Sequence, residues 1–97
     1  MIERRRLGAG EVELTFRLPA DHPADPVGIA GDFNDWTISP LVDVGGKLEA
    51  TLVVAGSRRY QFRYRTADGR WFNDDEADDY EPNEFGGMNC VVDLTTD

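Results

Sequence analysis

The chain has 97 residues, which is enough for one domain with a single hydrophobic core but too few for a deep cleft between two domains. With 10 basic and 19 acidic residues, it carries a formal net charge of −9. Nucleic acids and anionic membranes bind positively charged surfaces, so this charge excludes both as expected partners and leaves a neutral ligand open.

The single cysteine, Cys90, cannot form an internal disulfide, and no CxxC motif or Cys/His cluster indicates zinc. We therefore expect no cofactor. No apolar run has the length of a signal peptide or of a membrane span, which needs about 20 residues. These features predict a soluble, cytoplasmic protein whose one domain spans residues 1–97.

The first half of the chain predicts two strands and an aromatic turn. Residues 11 to 18 alternate polar and apolar side chains, as in a strand with one face in water. Three prolines, which lack an N–H group for pairing, predict a loop over residues 19 to 26. A short apolar strand from position 27 then leads into residues 31 to 36, GDFNDW, which favour a turn. We expect Phe33 to plug the end of the core and Trp36 to lie at or near the surface.

The second half predicts further strands. Pro40, Gly45 and Gly46 bound an irregular link, after which residues 47 to 54 alternate again, turn at 55 to 57, and return over 59 to 65. Asp68 and Gly69 predict a tight hairpin into a short strand at 70 to 73, where only one of two adjacent aromatic rings can face inward. Two sets of side chains are expected to be buried: Tyr60, Phe62 and Tyr64, and, on the last strand, Cys90, Val92 and Leu94.

Short strands separated by turns, without a convincing helical stretch, predict an all-β fold. An antiparallel β-sandwich is the expected form, and a small barrel is the alternative. The inner faces of the strands supply enough aliphatic and aromatic side chains to drive folding without a metal or a disulfide.

The order of motifs is more specific than the fold class. GDFNDW is followed by a hairpin through GKL at 46 to 48, the strand YQFRY at 60 to 64, DGRW at 68 to 71 and FGGMN at 85 to 89. This order resembles the glycogen-binding domain of AMP-activated protein kinase β-subunits and the related starch-binding modules of isoamylases and glycogen branching enzymes. The resemblance covers roughly residues 11 to 95.

The resemblance implies an immunoglobulin-like sandwich of the early set type that binds α-1,4-linked glucans without catalysis. In that family two tryptophans stack on glucose rings, a lysine contacts the sugar, and a loop before the last strand supplies an apolar residue, a small or hydroxylated residue and an asparagine. The matching residues here form the expected site: Trp36, Arg63, Trp71, Phe85, Gly87 and Asn89. Two depart from the family, because Arg63 replaces the lysine with a planar fork and Gly87 replaces the threonine of the kinase branch.

Three of these residues, Trp36, Arg63 and Asn89, also have a plain structural alternative. An exposed indole can cover the apolar face of a sugar, but Trp36 can equally cap the core with its N–H on a carbonyl. Arg63 and Asn89 can pair with sugar hydroxyls, or act as an ion-pair partner and a turn cap. For Arg59 and Arg65 we expect ordinary pairing with acidic neighbours.

Seven acidic residues between positions 74 and 84 predict a solvated loop. A calcium site is the alternative, although the spacing is not that of an EF-hand. We expect no enzyme, because the one histidine, His22, lies in a proline-rich loop without a nucleophile beside it, and the clustered carboxylates have no cleft. The alternative to glucan binding is a protein-interaction or regulatory sandwich that keeps the fold and has lost glucan affinity.

Overall fold

The computed structural model describes residues 2–19 and 26–95, so His22 and most of the proline-rich loop lie outside the described residues. Within those two ranges, no helix combines the length and the apolar character that crossing a membrane requires. The described chain contains one 3₁₀ turn, Asp32–Asn34, and these strands: β1 Ile2–Arg6, β2 Glu11–Pro19, β3 Val27–Gly31, β4 Ser39–Pro40, β5 Val42–Val44, β6 Lys47–Ala55, β7 Arg59–Thr66, β8 Trp71–Phe72, β9 Asp79–Pro82 and β10 Met88–Asp93.

The strands form two antiparallel sheets, which confirms the all-β prediction. The four-stranded sheet has the order β1-β2-β6-β5, and the six-stranded sheet has the order β4-β3-β7-β10-β9 with β8 added to β7. Among the described residues the two sheets are separate, so the arrangement is that of a sandwich rather than a closed barrel. The long β2–β6 pairing, from Glu11 opposite Ala55 to Pro19 opposite Lys47, dominates the first sheet.

The core lies between the inner faces of the two sheets. Strand alternation turns Phe16 inward from β2, and Phe62 and Tyr64 inward from β7, and all three are fully buried. The rings of Phe16 and Phe62 lie 4.9 Å apart, which joins the two layers directly. Phe33 packs 5.5 Å from Phe16 and 6.0 Å from Tyr60, so it closes one end of the core as predicted.

The inward side of the last strand is also as predicted. Cys90, Val92 and Leu94 are buried, and Val91 on the opposite face of the strand is buried as well. Burial raises the pKa of the Cys90 thiol to about 11, so the group is a neutral thiol at physiological pH.

A buried polar group anchors the segment after β8 to this core. The Asp74 side chain is 3% exposed, and its carboxyl group accepts hydrogen bonds from the Tyr64 hydroxyl at 2.7 Å and from the Glu76 backbone N–H at 2.8 Å. The Tyr80 hydroxyl donates to the Asp74 carbonyl at 2.6 Å. Burial, reinforced by the Asp74 charge, raises the pKa of Tyr64.

Several local predictions were wrong. The structure has four strands where the sequence predicted none: Ile2–Arg6, Ser39–Pro40, Val42–Val44 and Asp79–Pro82. The last of them was expected in a solvated loop. Each lies at the edge of a sheet, where one side faces water and alternation is weak. Pro19, which was expected in a loop, is the last residue of β2. Among the described residues, β1 pairs with β2 only as far as Phe16, so the end of β2 needs few N–H groups for pairing and tolerates a proline.

Candidate functional site

One cleft on the outer face of the six-stranded sheet brings together five of the six residues expected to form a site. Gln61 and Arg63 point into it because they alternate along β7 with the buried aromatic residues. The cleft has a volume of about 620 Å³ and is lined by Asp32, Trp36, Gln61, Arg63, Trp71, Asn83, Glu84, Phe85 and Asn89. The sixth residue, Gly87, borders it, since a Cβ atom built there would lie 3.6 Å from Nη1 of Arg63.

The turn that carries Trp36 is packed tightly against β7. A Cβ atom on Gly31 would lie 2.6 Å from the Gln61 carbonyl oxygen, so only glycine permits this approach. The Asn34 side chain accepts the Gly31 N–H at 2.9 Å and donates to the Ser39 hydroxyl at 3.1 Å. The sequence predicted such local side-chain bonds, and they fix the turn between β3 and β4.

The backbone at the end of this turn is unusual. Asp35 and Trp36 have φ angles of 54° and 58°, in the left-handed region that bulky residues avoid. Each costs on the order of 1 kcal/mol, which the surrounding hydrogen bonds must offset. The Trp36 N–H donates to the Gly31 carbonyl at 2.9 Å, and the Thr37 N–H donates to the Asn34 carbonyl at 3.0 Å. This conformation aims the indole at the cleft.

Trp36 lies at the surface, as predicted, with 37% of the residue exposed. Its indole Nε1–H donates to Oδ1 of Asp32 at 3.0 Å, so its partner is a carboxylate rather than a backbone carbonyl. The second oxygen, Oδ2 of Asp32, accepts the Gln61 backbone N–H at 2.8 Å. The carboxylate therefore connects the indole to the central strand of the sheet.

Trp71 reaches the same cleft from a hairpin. The tight turn at Asp68 and Gly69, with φ of 89° at the glycine, leads into β8 as predicted. Of its two residues, Phe72 packs 5.2 Å from the Tyr64 ring, and Trp71 faces outward with 38% exposed. The guanidinium carbon of Arg65 lies 5.1 Å from the Trp71 ring centroid. Arg65, expected to pair with an acidic neighbour, is thus a cation placed against the indole.

Arg59, at the other end of β7, behaves as predicted. Its guanidinium donates to Asp79 at 2.9 Å, to Glu81 at 3.0 Å and to Asp93 at 3.0 Å. The hydrogen bond to Asp79 raises the pKa of Arg59 and, in return, lowers the pKa of the Asp79 carboxyl group. Arg59 therefore joins β7, β9 and β10 and is not available to a ligand in the cleft.

Arg63 has a different environment. Its Nε donates to Oδ1 of Asn73 at 2.8 Å, and Nδ2 of Asn73 donates to the Met88 carbonyl at 2.9 Å. Within residues 2–19 and 26–95, no carboxylate forms an ion pair with Arg63. A neutral side chain therefore orients the guanidinium and leaves its charge and its remaining N–H groups for a ligand.

The loop before β10 forms the remaining wall. Oδ1 of Asn83 accepts the N–H groups of Phe85 at 2.9 Å and of Gly87 at 3.1 Å, which closes the loop on itself. Phe85 stands at its tip, 87% exposed. Asn89 donates to Oε1 of Gln61 at 2.9 Å and accepts from Nδ2 of Asn83 at 3.1 Å, so it bridges the loop and β7 instead of capping a turn.

Four residues of the cleft were not predicted: Asp32, Gln61, Asn83 and Glu84. Gln61 lies between Arg59 and Arg63 on the wet face of β7, so strand alternation contained the signal for it. Asn83 lies three residues before the pair Gly86 and Gly87, and an asparagine at such a position favours a turn in which its side chain is hydrogen-bonded to the backbone. The contact between Asp32 and Trp36, which are four residues apart in the same turn, had no sequence signal.

The acidic segment after β8 contains a cluster of three carboxylates. Ligand oxygens of Asp74, Asp75 and Glu76 lie within 4.8 Å of one another. Asp74 is nevertheless committed to the Tyr64 hydroxyl and the Glu76 N–H, which limits its use as a metal ligand. The arrangement is one of a buried anchor with exposed acidic neighbours.

The cleft combines flat apolar surfaces with polar groups that hold their orientation. Two indoles and a phenyl ring supply the apolar surfaces, and Arg63 supplies N–H donors. The cleft contains two carboxylates, Asp32 and Glu84, and Asp32 already accepts two hydrogen bonds. This set of groups suits a neutral ligand with apolar faces and a rim of hydroxyl groups.

A comparison with models of known protein families gave no match, and a comparison with curated protein sequences also gave none.

Proposed function

We propose that the protein is a non-catalytic binding module for α-1,4-linked glucans such as glycogen, starch or maltooligosaccharides, on an immunoglobulin-like sandwich of the early set type. One observation carries the proposal: Trp36 and Trp71, each more than a third exposed, line a single cleft together with Arg63 and Asn89. The order of motifs, which resembles that of glycogen- and starch-binding modules, supports the same assignment.

The chemistry of the ligand matches this cleft. A glucose ring has an apolar face of C–H groups, which an indole covers well, and a rim of hydroxyl groups that need hydrogen-bond partners. Arg63 offers N–H donors whose direction Asn73 fixes. Gly87 adds no side chain beside that guanidinium, where a Cβ atom would already contact Nη1 at 3.6 Å. The loop keeps Phe85 exposed at the rim, where it can contact a second sugar face.

Titration of maltoheptaose and β-cyclodextrin by isothermal calorimetry tests the proposal. The unmodified protein is expected to bind both saturably, and Trp71→Ala is expected to weaken binding by at least about tenfold, as for other central aromatic contacts. Val53→Ala is the control, because Val53 is also an exposed apolar residue but lies on the other sheet. Circular dichroism checks that each variant is folded.

Two results would contradict the proposal. The first is no saturable heat from the unmodified protein at millimolar sugar, which would favour a protein-interaction sandwich that has lost glucan affinity. The second is equal affinity of the parent, Trp71→Ala and Val53→Ala proteins, which would place any sugar binding outside this cleft.

A further inference from the structure

The Trp36 ring needs more than core packing to fix its direction. The residue is 37% exposed, and its backbone and that of Asp35 lie in the left-handed region. An exposed ring on a strained turn can rotate about its side-chain bonds unless a polar contact holds it. The one polar atom of the indole, Nε1, is therefore the place where such a contact must act.

Asp32 makes that contact and is itself anchored. Its Oδ1 accepts the indole N–H at 3.0 Å, and its Oδ2 accepts the backbone N–H of Gln61 at 2.8 Å. Asp32 also begins the 3₁₀ turn that Phe33 pins to the core. Both oxygens are used, so the carboxylate has little freedom to move while the turn is intact.

We propose that Asp32 is the positioning residue of the cleft, and that it holds the Trp36 indole in its ligand-facing orientation before any ligand arrives. The same hydrogen-bond chain continues across the floor of the cleft. Oε1 of Gln61 accepts from Asn89 at 2.9 Å, and Asn89 accepts from Asn83, whose other side-chain atom closes the Phe85 loop. The two walls are thereby connected through β7.

The Asp32 carboxylate is better suited to positioning the Trp36 indole than to contacting the sugar itself. With one hydrogen bond to the indole and one to β7, Asp32 offers a ligand less acceptor capacity than Glu84, for which no hydrogen bond or ion pair is found among the described residues. Its effect on binding, which rests on the proposed function, is indirect: a ring already in place loses less freedom when a sugar stacks on it.

Hydrogen exchange of the two indole N–H groups, followed by NMR without ligand, tests the positioning directly. In the unmodified protein the indole N–H of Trp36 is expected to exchange about tenfold more slowly than that of Trp71, because the Trp36 N–H is hydrogen-bonded to the Asp32 carboxylate. Trp71→Phe assigns the two signals. Asp32→Ala should abolish the difference, whereas Asp32→Asn, whose amide oxygen can still accept the indole N–H, should retain part of it. Asp75→Ala removes the same charge from an exposed site and should change nothing.

Maltoheptaose affinity provides the second measurement. Asp32→Ala is expected to weaken binding about tenfold and Asp32→Asn less, with Asp75→Ala equal to the parent. Equal exchange of both indoles in the parent, or an Asp32→Ala protein that keeps the difference, would overturn the positioning. If Asp32→Ala does not fold, the parent and Asp32→Asn decide. Lost protection with unchanged affinity would overturn the role in binding.

The two proposals fail separately. A parent protein that shows the slow Trp36 exchange but binds no glucan would refute the proposed function and leave Asp32 as the residue that orients Trp36. A parent that binds glucan but exchanges both indole protons at the same rate would refute the positioning alone.

Discussion

Neutral amide side chains orient charged and aromatic groups in the cleft. Asn73 holds the Arg63 guanidinium, Asn83 closes the Phe85 loop, and Asn89 connects that loop to Gln61. A carboxylate in the place of Asn73 would hold Arg63 more strongly but would neutralise it. The amide therefore fixes the direction of the guanidinium and leaves its charge free.

Below the cleft, the buried hydroxyl of Tyr64 is expected to contribute more to stability than that of Tyr60. Tyr64 donates to the carboxyl group of the buried Asp74 at 2.7 Å, whereas Tyr60 donates to the Ala55 backbone carbonyl at 2.6 Å. Tyr64→Phe should lower the free energy of unfolding by about 1.5–3 kcal/mol, and Tyr60→Phe by about 1 kcal/mol. Urea unfolding of both variants measures this, and equal losses would contradict the distinction.

Single residues differ in how far the sequence could place them. Alternation along β7 correctly buried Tyr60, Phe62 and Tyr64. Alternation on β8 predicted that only one of Trp71 and Phe72 faces inward, and the structure shows that Trp71 is the exposed one. The indole bond of Trp36 was beyond prediction, because the Asp32 carboxylate that accepts it is also bonded to the Gln61 N–H, 29 residues away along the chain. Arg65 was likewise unpredictable, since the choice between a carboxylate and the Trp71 ring depends on the hairpin register.

At the level of strands, periodicity identified the elements that have one wet and one dry face. β2, β6 and β7 were predicted nearly to their ends. The edge strands β1, β4, β5 and β9 were missed, because they are short and most of their side chains are not buried on either face. Pairing partners, rather than their own composition, make these segments strands.

Arg59 is expected to give the β9 edge a pH-dependent stability. Its hydrogen bond lowers the pKa of Asp79 below the ordinary value of 3.8, so the folded state binds protons less readily than the unfolded chain. The stabilisation is therefore complete at neutral pH and is lost as the pH falls through the lowered pKa. Arg59→Gln should reduce the urea midpoint at neutral pH, and the difference from the parent should shrink as the pH falls below 3.8 and through the lowered pKa of Asp79.

Arg5→Gln is the matched control for this prediction. It removes the same charge from β1, an edge strand of the other sheet. Arg5 is largely exposed there, and its Nε lies 3.8 Å from Oε1 of Glu13. A surface contact of that length contributes little. A difference between the Arg59→Gln and parent midpoints that stays constant with pH would show that packing, not the ion-pair network, explains the loss.

For the whole molecule, the described architecture follows from the alternation of long strands, and the two-sheet arrangement was predicted on that basis. The pairing order within each sheet was not, because strands that are distant in sequence pair side by side, such as β3 with β7 and β7 with β10. The cleft depends on that order: β7 contributes Gln61 and Arg63, and its neighbours bring Trp36, Trp71 and Asn89 to the same face.

The net charge of −9 leads to a prediction about the proposed ligand. A neutral glucan displaces no counterions, so its dissociation constant should change less than about twofold between about 0.05 M and about 0.5 M NaCl. Calorimetry at both salt concentrations provides the measurement. A steep dependence on salt would indicate a charged ligand and would count against glucan binding.

Because every cleft residue belongs to the six-stranded sheet or to the turns beside it, the opposite sheet is free for attachment. Lys47 is the only lysine in the sequence, and it lies exposed at the start of β6 on that other sheet. A fluorophore or a resin coupled to its side-chain amine would sit across the thickness of the sandwich from the two indoles. Lys47 is thus the one side-chain amine of the chain, and coupling through it would leave the cleft facing outward.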